Sequence, residues 1–306
     1  MWNAREVAQW AVLAGACSLV IAGAAKADSG LELDLEFGAE YNDNVTIDSI
    51  DSTSRQGDSL LRISGAIGAQ VFEKGDTSFS GRYSFFQSIY QDLSNFDLQI
   101  HGLSARLKSK VGKVNVGGSY RYDHIRLDGA AFLDVHSVGP DIGLLVAKKT
   151  YLTASYQFRQ QTFADPLRSE RNADRHSADA KVYFLLGDGK NITTGYRISR
   201  QTAEIDSLSY WGHSFDAGYK HPFKLGSKEA TFRLRYQYRQ RDYSGFDAAI
   251  GDERQDKRHT ARVSLEVPLT ERLELGAEYK YVSSISNLPV ADYTGNSVRA
   301  SLSWSF

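Results

Sequence analysis

From Leu31 to Phe306 the chain repeats one pattern: apolar residues fall on every second position, segment after segment, with no stretch at helical spacing between them. Side chains alternate across a strand, so each such segment is a β-strand with one apolar and one polar face. Leu31, Leu33, Leu35, Phe37, Ala39 and Tyr41 share the first apolar face, and Leu61, Ile63, Gly65, Ile67, Ala69 and Val71 share the second. Further segments run about 78–91, 97–109, 114–125, 137–148, 151–163, 175–187, 191–204, 210–222, 229–242, 257–269, 272–285 and 294–306, about fourteen in all. No helix is available to cover that many apolar faces, and a water-soluble sheet needs such cover. A closed wall whose apolar side meets lipid needs none.

The composition fits such a wall. The chain holds 17 tyrosines, 15 phenylalanines and 26 glycines but only 5 prolines, and its mean hydropathy is −0.40. A barrel presents only alternate residues to lipid, so its average hydropathy stays low. The expected fold is all-β: a transmembrane antiparallel up-and-down β-barrel of about 14 strands, residues 28–306. An even count returns the N and C termini to one side, read as the periplasm.

Residues 1–27 read as a secretory signal peptide. Arg5 lies near the start, an apolar run extends from about Val12 to Ala25, and Ala25-Lys26-Ala27 forms a small-x-small triplet. The run is short of the roughly 20 apolar residues a transmembrane helix needs. Cys17, the only cysteine, leaves with it, so no disulfide or thiolate metal site is expected. The formal charge is −1, and Arg5, Glu6 and Lys26 contribute +1, which leaves −2 on residues 28–306. Bulk charge therefore gives no reason to expect nucleic acid as a partner.

The connections divide into two kinds. Short turns follow alternate strands: Lys74-Gly75-Asp76, Lys110 to Lys113, Ala147 to Thr150, Gly187 to Lys190, Lys224 to Lys228 and Pro268 to Glu271. Most contain residues that tolerate positive φ, and they are assigned to the periplasmic rim. The others read as longer polar loops facing out of the cell: Asn42 to Gly57, Leu127 to Val135, Ala164 to Asp174, Ser244 to Asp256 and Ser286 to Tyr293. Tyr41, Tyr90, Tyr122, Tyr151, Tyr210, Trp211, Tyr243, Tyr281, Trp304 and Phe306 gather near strand ends and read as interfacial girdles.

Function should lie on the inward faces. Glu32, Asp34, Glu36 and Glu40 point inward from the first strand, and Arg233, Arg235, Arg239 and Arg241 from the 229–242 segment. Arg82, Arg121, Arg159, Arg197, Arg258 and Arg262 fall on inward positions of other segments. The lumen is thus expected to be acidic beside the first strand and basic around residues 229–269. One reading is that these charges pair and stiffen the wall; the other is a constriction whose arginines draw in anionic solutes. The longest connection, Asn42 to Gly57, is placed to fold inward and narrow the pore. Its Asp43, Asp48 and Asp51 lack the glycine turn and closing glutamate of a calcium loop, and read as a solvated acidic loop.

No metal-ligand spacing, phosphate loop or nucleotide motif is present, and no cofactor or enzymatic activity is expected. Asp123-His124 and Asp134-x-His136 are the nearest approach to a rim hydrolase, and no serine motif accompanies them.

Tyr41-Asn42-Asp43-Asn44-Val45, the stretch from Ser88 to Leu103, Leu127-Asp128-Gly129 and Phe132-Leu133 resemble the barrel domains of surface lipoprotein assembly modulators, and also porins found near exopolysaccharide loci. That resemblance implies a fourteen-strand outer-membrane barrel that passes solute or helps place cargo on the cell surface. Assembly modulators usually carry a periplasmic helical-repeat domain before the barrel. Here the first strand begins about four residues after the leader, so that domain is expected to be absent. Family knowledge also makes Trp304 and the closing Phe306 an assembly signal. The implied partners are outer-membrane lipid, the barrel assembly machinery with its periplasmic chaperones, and an unidentified cargo. The leading expectation is a channel with an Arg-rich lumen; an accessory barrel for lipoprotein or exopolysaccharide translocation is the alternative.

Overall fold

The computed structural model describes residues 30–306, so the leader reading and Cys17 lie outside the described residues. Every barrel strand pairs antiparallel with the next. The strands are β1 (Leu31–Asn42), β2 (Thr46–Ile47), β3 (Ser52–Thr53), β4 (Asp58–Lys74), β5 (Thr77–Tyr90), β6 (Leu98–Val111), β7 (Val114–Leu127) and β8 (Ala130–Ala147). They continue with β9 (Thr150–Phe163), β10 (Ala173–Gly187), β11 (Lys190–Ala203), β12 (Tyr210–Leu225), β13 (Lys228–Asp247), β14 (Asp252–Pro268), β15 (Leu273–Ser286) and β16 (Tyr293–Ser305). β2 and β3 form a two-stranded ladder within one loop, and the other fourteen close into a barrel in chain order.

Closure is made by β1 against β16, with Phe37 opposite Leu302 and Ala39 opposite Ala300. Leu33 and Phe306 exchange both backbone hydrogen bonds, 3.0 and 2.9 Å, so the two described ends meet at one rim. This is the near rim. Its turns use the left-handed region that glycine enters without steric cost: Gly75, Gly112 and Gly226 all have φ near +60°.

The apolar parity of each strand faces out. Ile67, Leu103, Ile142, Ile192, Leu234 and Val298 are all exposed on the outer wall, as a surface made for lipid requires. At Gln70/Phe72 a bulge breaks the alternation, which leaves Val71 and Phe72 exposed together.

At the far rim two expected long loops are hairpins. Asp128-Gly129 alone joins β7 to β8, and β13 and β14 extend to Asp247 and Asp252. Asp-Gly supplies two residues at positive φ, +50° and +73°, which is the chemistry of a tight hairpin and not of a loose loop. The girdle reading also needs correction. Tyr90, Tyr151, Tyr210 and Tyr243 sit on the inward parity of their strands, and Tyr210 and Tyr243 are 3% and 6% exposed. Nearness to a strand end does not set the face a residue takes; parity does.

Candidate functional site: the barrel interior and its inserted loop

The chain from Asp43 to Gly57 leaves β1 at the far rim and turns into the barrel. Its own ladder, β2 against β3, flanks a 3-10 turn at Asp48–Ile50, and Val45 at its base is completely buried. The turn is amphipathic. Ile47 and Ile50 pack against Phe132, Leu133, Val135 and Phe163 on β8 and β9, nearly opposite β1 in the strand order. The Phe132 and Phe163 rings meet edge to face at 5.4 Å, a favoured aromatic geometry.

The acidic side of the turn takes a different wall. Asp48 receives both terminal nitrogens of Arg258, one at 2.8 Å, and the Tyr293 hydroxyl at 2.9 Å. Asp51 receives Arg254 at 2.8 Å and Arg171 at 3.1 Å. Burial opposes the charge on both aspartates, but Arg258 for Asp48, and Arg254 with Arg171 for Asp51, outweigh it and hold the carboxyls below the ordinary range. Asp51 holds a left-handed backbone, φ +52°, a conformation that persists when surrounding contacts fix it. The solvated acidic loop expected from the sequence is thus an ion-paired bridge across the far mouth. Asp43 stays at the rim, where it accepts from the Asn296 backbone and side chain at 2.6 and 2.7 Å.

Below the bridge lies a cavity of about 420 Å³, lined among others by Arg159, Arg175, Arg197, Arg239, Arg241 and Tyr210. A second cavity, about 580 Å³, continues along the same wall between Lys181, Lys220, Arg233, Arg235 and Arg262. Some of these cations are neutralised locally. Arg233 pairs with Glu266 at 2.6 Å, Arg197 with Asp179 at 3.3 Å, and Arg121 with Asp123 at 2.5 Å. Arg241 lies over the Tyr210 ring at 4.7 Å. Among the described residues Arg159, Arg235, Arg239 and Arg262 have no carboxylate at ion-pair distance, and Asp48 lies near Arg239 only as a longer-range charge. Arg235 sits directly opposite Arg262, and Arg239 directly opposite Arg258. Like charges facing across a ladder destabilise it, so the sheet pays no structural dividend from them.

For the acidic residues of β1 the structure shows the first of the two sequence readings, in which the charges pair. Arg82 takes Asp34 and, at 3.5 Å, Glu32; Arg62 takes Glu40 at 3.0 Å; Arg299 approaches Glu36 at 3.7 Å. Arg62 and Arg299 lie on the adjacent strands β4 and β16, and the sequence reading left them out. One side of the interior is therefore paired and the other is left positive.

The rim histidines do not assemble a hydrolase-like cluster with both aspartates. Asp123 turns inward to Arg121, while His124 turns outward to Asp134 at 2.8 Å, which also accepts from Tyr122 at 2.7 Å. At the other end Trp304 and Phe306 stack at 5.8 Å, and Arg272 lies 4.5 Å over the Phe306 ring.

Residues 206–306 match the family described as Putative beta-barrel porin 2. No curated protein matches the chain. Among solved structures, the fold is similar to OmpTdeltaL8, a loop-deletion mutant of an outer membrane protein of Vibrio cholerae, at 10% identity and TM-score 0.54, over 90% of this chain and 99% of that one. Outer-membrane expressed OmpT of Vibrio cholerae gives TM-score 0.53 at 10% identity over 92% and 99%. The anion-selective porin from Comamonas acidovorans gives TM-score 0.50 at 11% identity over 90% and 98%. The chain has the porin-like β-barrel fold of bacterial outer-membrane proteins.

Proposed function

We propose that this protein is an outer-membrane channel that favours small anionic solutes, with the Asp43–Gly57 loop as its constriction and both barrel ends of the chain in the periplasm after leader removal. One observation carries the reading: the unpaired arginines Arg159, Arg235, Arg239 and Arg262 face the interior on one continuous wall, while the carboxylates of β1 are matched by Arg62, Arg82 and Arg299. Unmatched guanidiniums in a confined aqueous path raise the local concentration of anions. A guanidinium offers paired donors to carboxylate or phosphate. Lipid is the immediate partner, and insertion calls on the barrel assembly machinery.

The test is the reversal potential of the refolded protein in a planar bilayer across a potassium chloride gradient. A potential displaced toward the chloride equilibrium value supports the proposal, and one displaced toward potassium overturns it. The ion-paired loop across the far mouth favours a second reading, a barrel opened only by a translocation partner for exported lipoprotein or polysaccharide. That reading predicts a closed barrel in the same bilayer, with conductance appearing when the loop is released.

A further inference from the structure

Five hairpins of the outer wall carry the same Tyr–His pair at the same place, and a sixth carries Tyr–Asn there. Tyr83 on β5 bonds His101 on β6 at 2.8 Å, Tyr120 bonds His136 at 2.8 Å, and Tyr156 bonds His176 at 2.6 Å. Tyr196 bonds His213 at 2.6 Å and Tyr236 bonds His259 at 2.7 Å. In the last hairpin Tyr279 bonds Asn296 at 2.6 Å. The register repeats as well: each histidine stands opposite the residue two positions after its tyrosine, namely Phe85, Tyr122, Phe158, Ile198 and Tyr238. The β1–β4 hairpin carries neither pair, and one further Tyr–His pair, Tyr219 with His221 at 2.8 Å, lies within β12 away from this level.

The belt lies at a chemical boundary. Two positions toward the near rim from each histidine the outward residue is Leu103, Val138, Ala178, Phe215 or Ala261. Two positions toward the far rim it is Gln99, Asp134, Asp174, Trp211 or Lys257. On a lipid-facing wall, a change from apolar to polar at four of the five positions, and to an amphipathic indole at Trp211, marks the level of the headgroups. All six tyrosines are 38–49% exposed on this surface.

The pairing engages Nδ1 of each imidazole and, among the described residues, leaves Nε2 without a hydrogen-bond partner. A tyrosine hydroxyl donating to Nδ1 leaves the proton on Nε2, because the partner of one ring nitrogen sets the tautomer of the other. In that tautomer each Nε2–H is a donor left for lipid, at a level where headgroups supply acceptors. We infer that the five Tyr–His pairs form a ring of donors that binds the phosphate groups of membrane lipids and sets the depth of the barrel. The inference needs a barrel in a bilayer but no channel activity. A merely structural cross-strand pair would need no repeat at this one level.

The protein carrying ring-15N histidine would be refolded into vesicles of phosphatidylethanolamine and phosphatidylglycerol in phosphate-free buffer, and 15N–31P dipolar dephasing measured by solid-state NMR. The expected result is loss of Nε2 intensity on 31P dephasing with Nδ1 unaffected. In Tyr156→Phe, the His176 contribution, identified by comparison with H176Q, should lose its dephasing while the heat-modifiable gel shift of the folded barrel persists. Absence of Nε2 dephasing in inserted, folded protein overturns the proposal and leaves the pairs as sheet structure. Equal dephasing of Nδ1 and Nε2 overturns the tautomer argument with it, and failure to insert into vesicles removes its premise.

Discussion

Asp48 and Arg258, 210 residues apart in sequence, meet carboxylate to guanidinium inside the barrel, both terminal nitrogens of Arg258 reaching both oxygens of Asp48. Arg258 is mostly enclosed, its side chain 15% exposed, so the contact is partly shielded from the water that weakens surface ion pairs. It joins the inserted loop to β14 and carries the loop across the far mouth.

Breaking that bridge should open the mouth. Asp48→Asn combined with Asp51→Asn removes both carboxylates but keeps side-chain volume, and the Ile47 and Ile50 anchor remains. We expect single-channel conductance to rise severalfold over the parent in planar bilayers, with folding preserved on heat-modifiability gels. Unchanged conductance would show that the apolar contacts alone hold the loop.

Acid should release the bridge only well below the usual carboxylate range. Both aspartates are held below their ordinary value of 3.8 in the folded chain. A carboxyl whose folded pKa is depressed gives stability that is fully present above its unfolded value and is lost as pH falls through its folded value. Conductance should therefore stay constant from pH 7 to about pH 4 and rise only beneath it. A rise between pH 6 and 5 would mean that other groups hold the loop.

Selectivity should follow Arg235 and Arg262, which face each other across β13 and β14. Replacing both with Glu exchanges one like-charged pair for another, so the local repulsion stays comparable while its sign reverses. The reversal potential in a salt gradient should shift toward cations. An identical potential in both folded, conducting proteins would leave this pair as wall structure.

Phe163→Ala should loosen the loop from its other anchor. Phe163 is 5% exposed and packs on Phe132 and the loop isoleucines; truncating a buried phenylalanine typically costs about 3 kcal/mol or more. A lower heat-modification temperature and noisier current traces are expected. An unaltered trace would mean that the cluster does not restrain the loop.

Phe306 seals β1 to β16 through its backbone bonds with Leu33. Deleting it should reduce the amount inserted in the outer membrane while secretion and leader cleavage continue, as fractionation at native expression would read. Equal surface abundance would reduce its ring to one more lipid-facing group.

Period-two alternation alone specified the strands, their number and the lipid-facing parity, because a strand has only two faces and lipid accepts one of them. The inward parity of Arg233 to Arg241 was legible for the same reason. The sequence also contains Tyr-x-aromatic on one strand (Tyr-x-Ile at Tyr196) and His on the next, a repeat that becomes a belt only when register sets the partners side by side. Closure of the barrel decided the rest. Arg62 and Arg299 reach Glu40 and Glu36 because β1 lies between β4 and β16, and Asp48 finds Arg258 because the first loop turns inward across the interior. No local pattern encodes contacts between residues more than two hundred positions apart; the ring of strands brings them together.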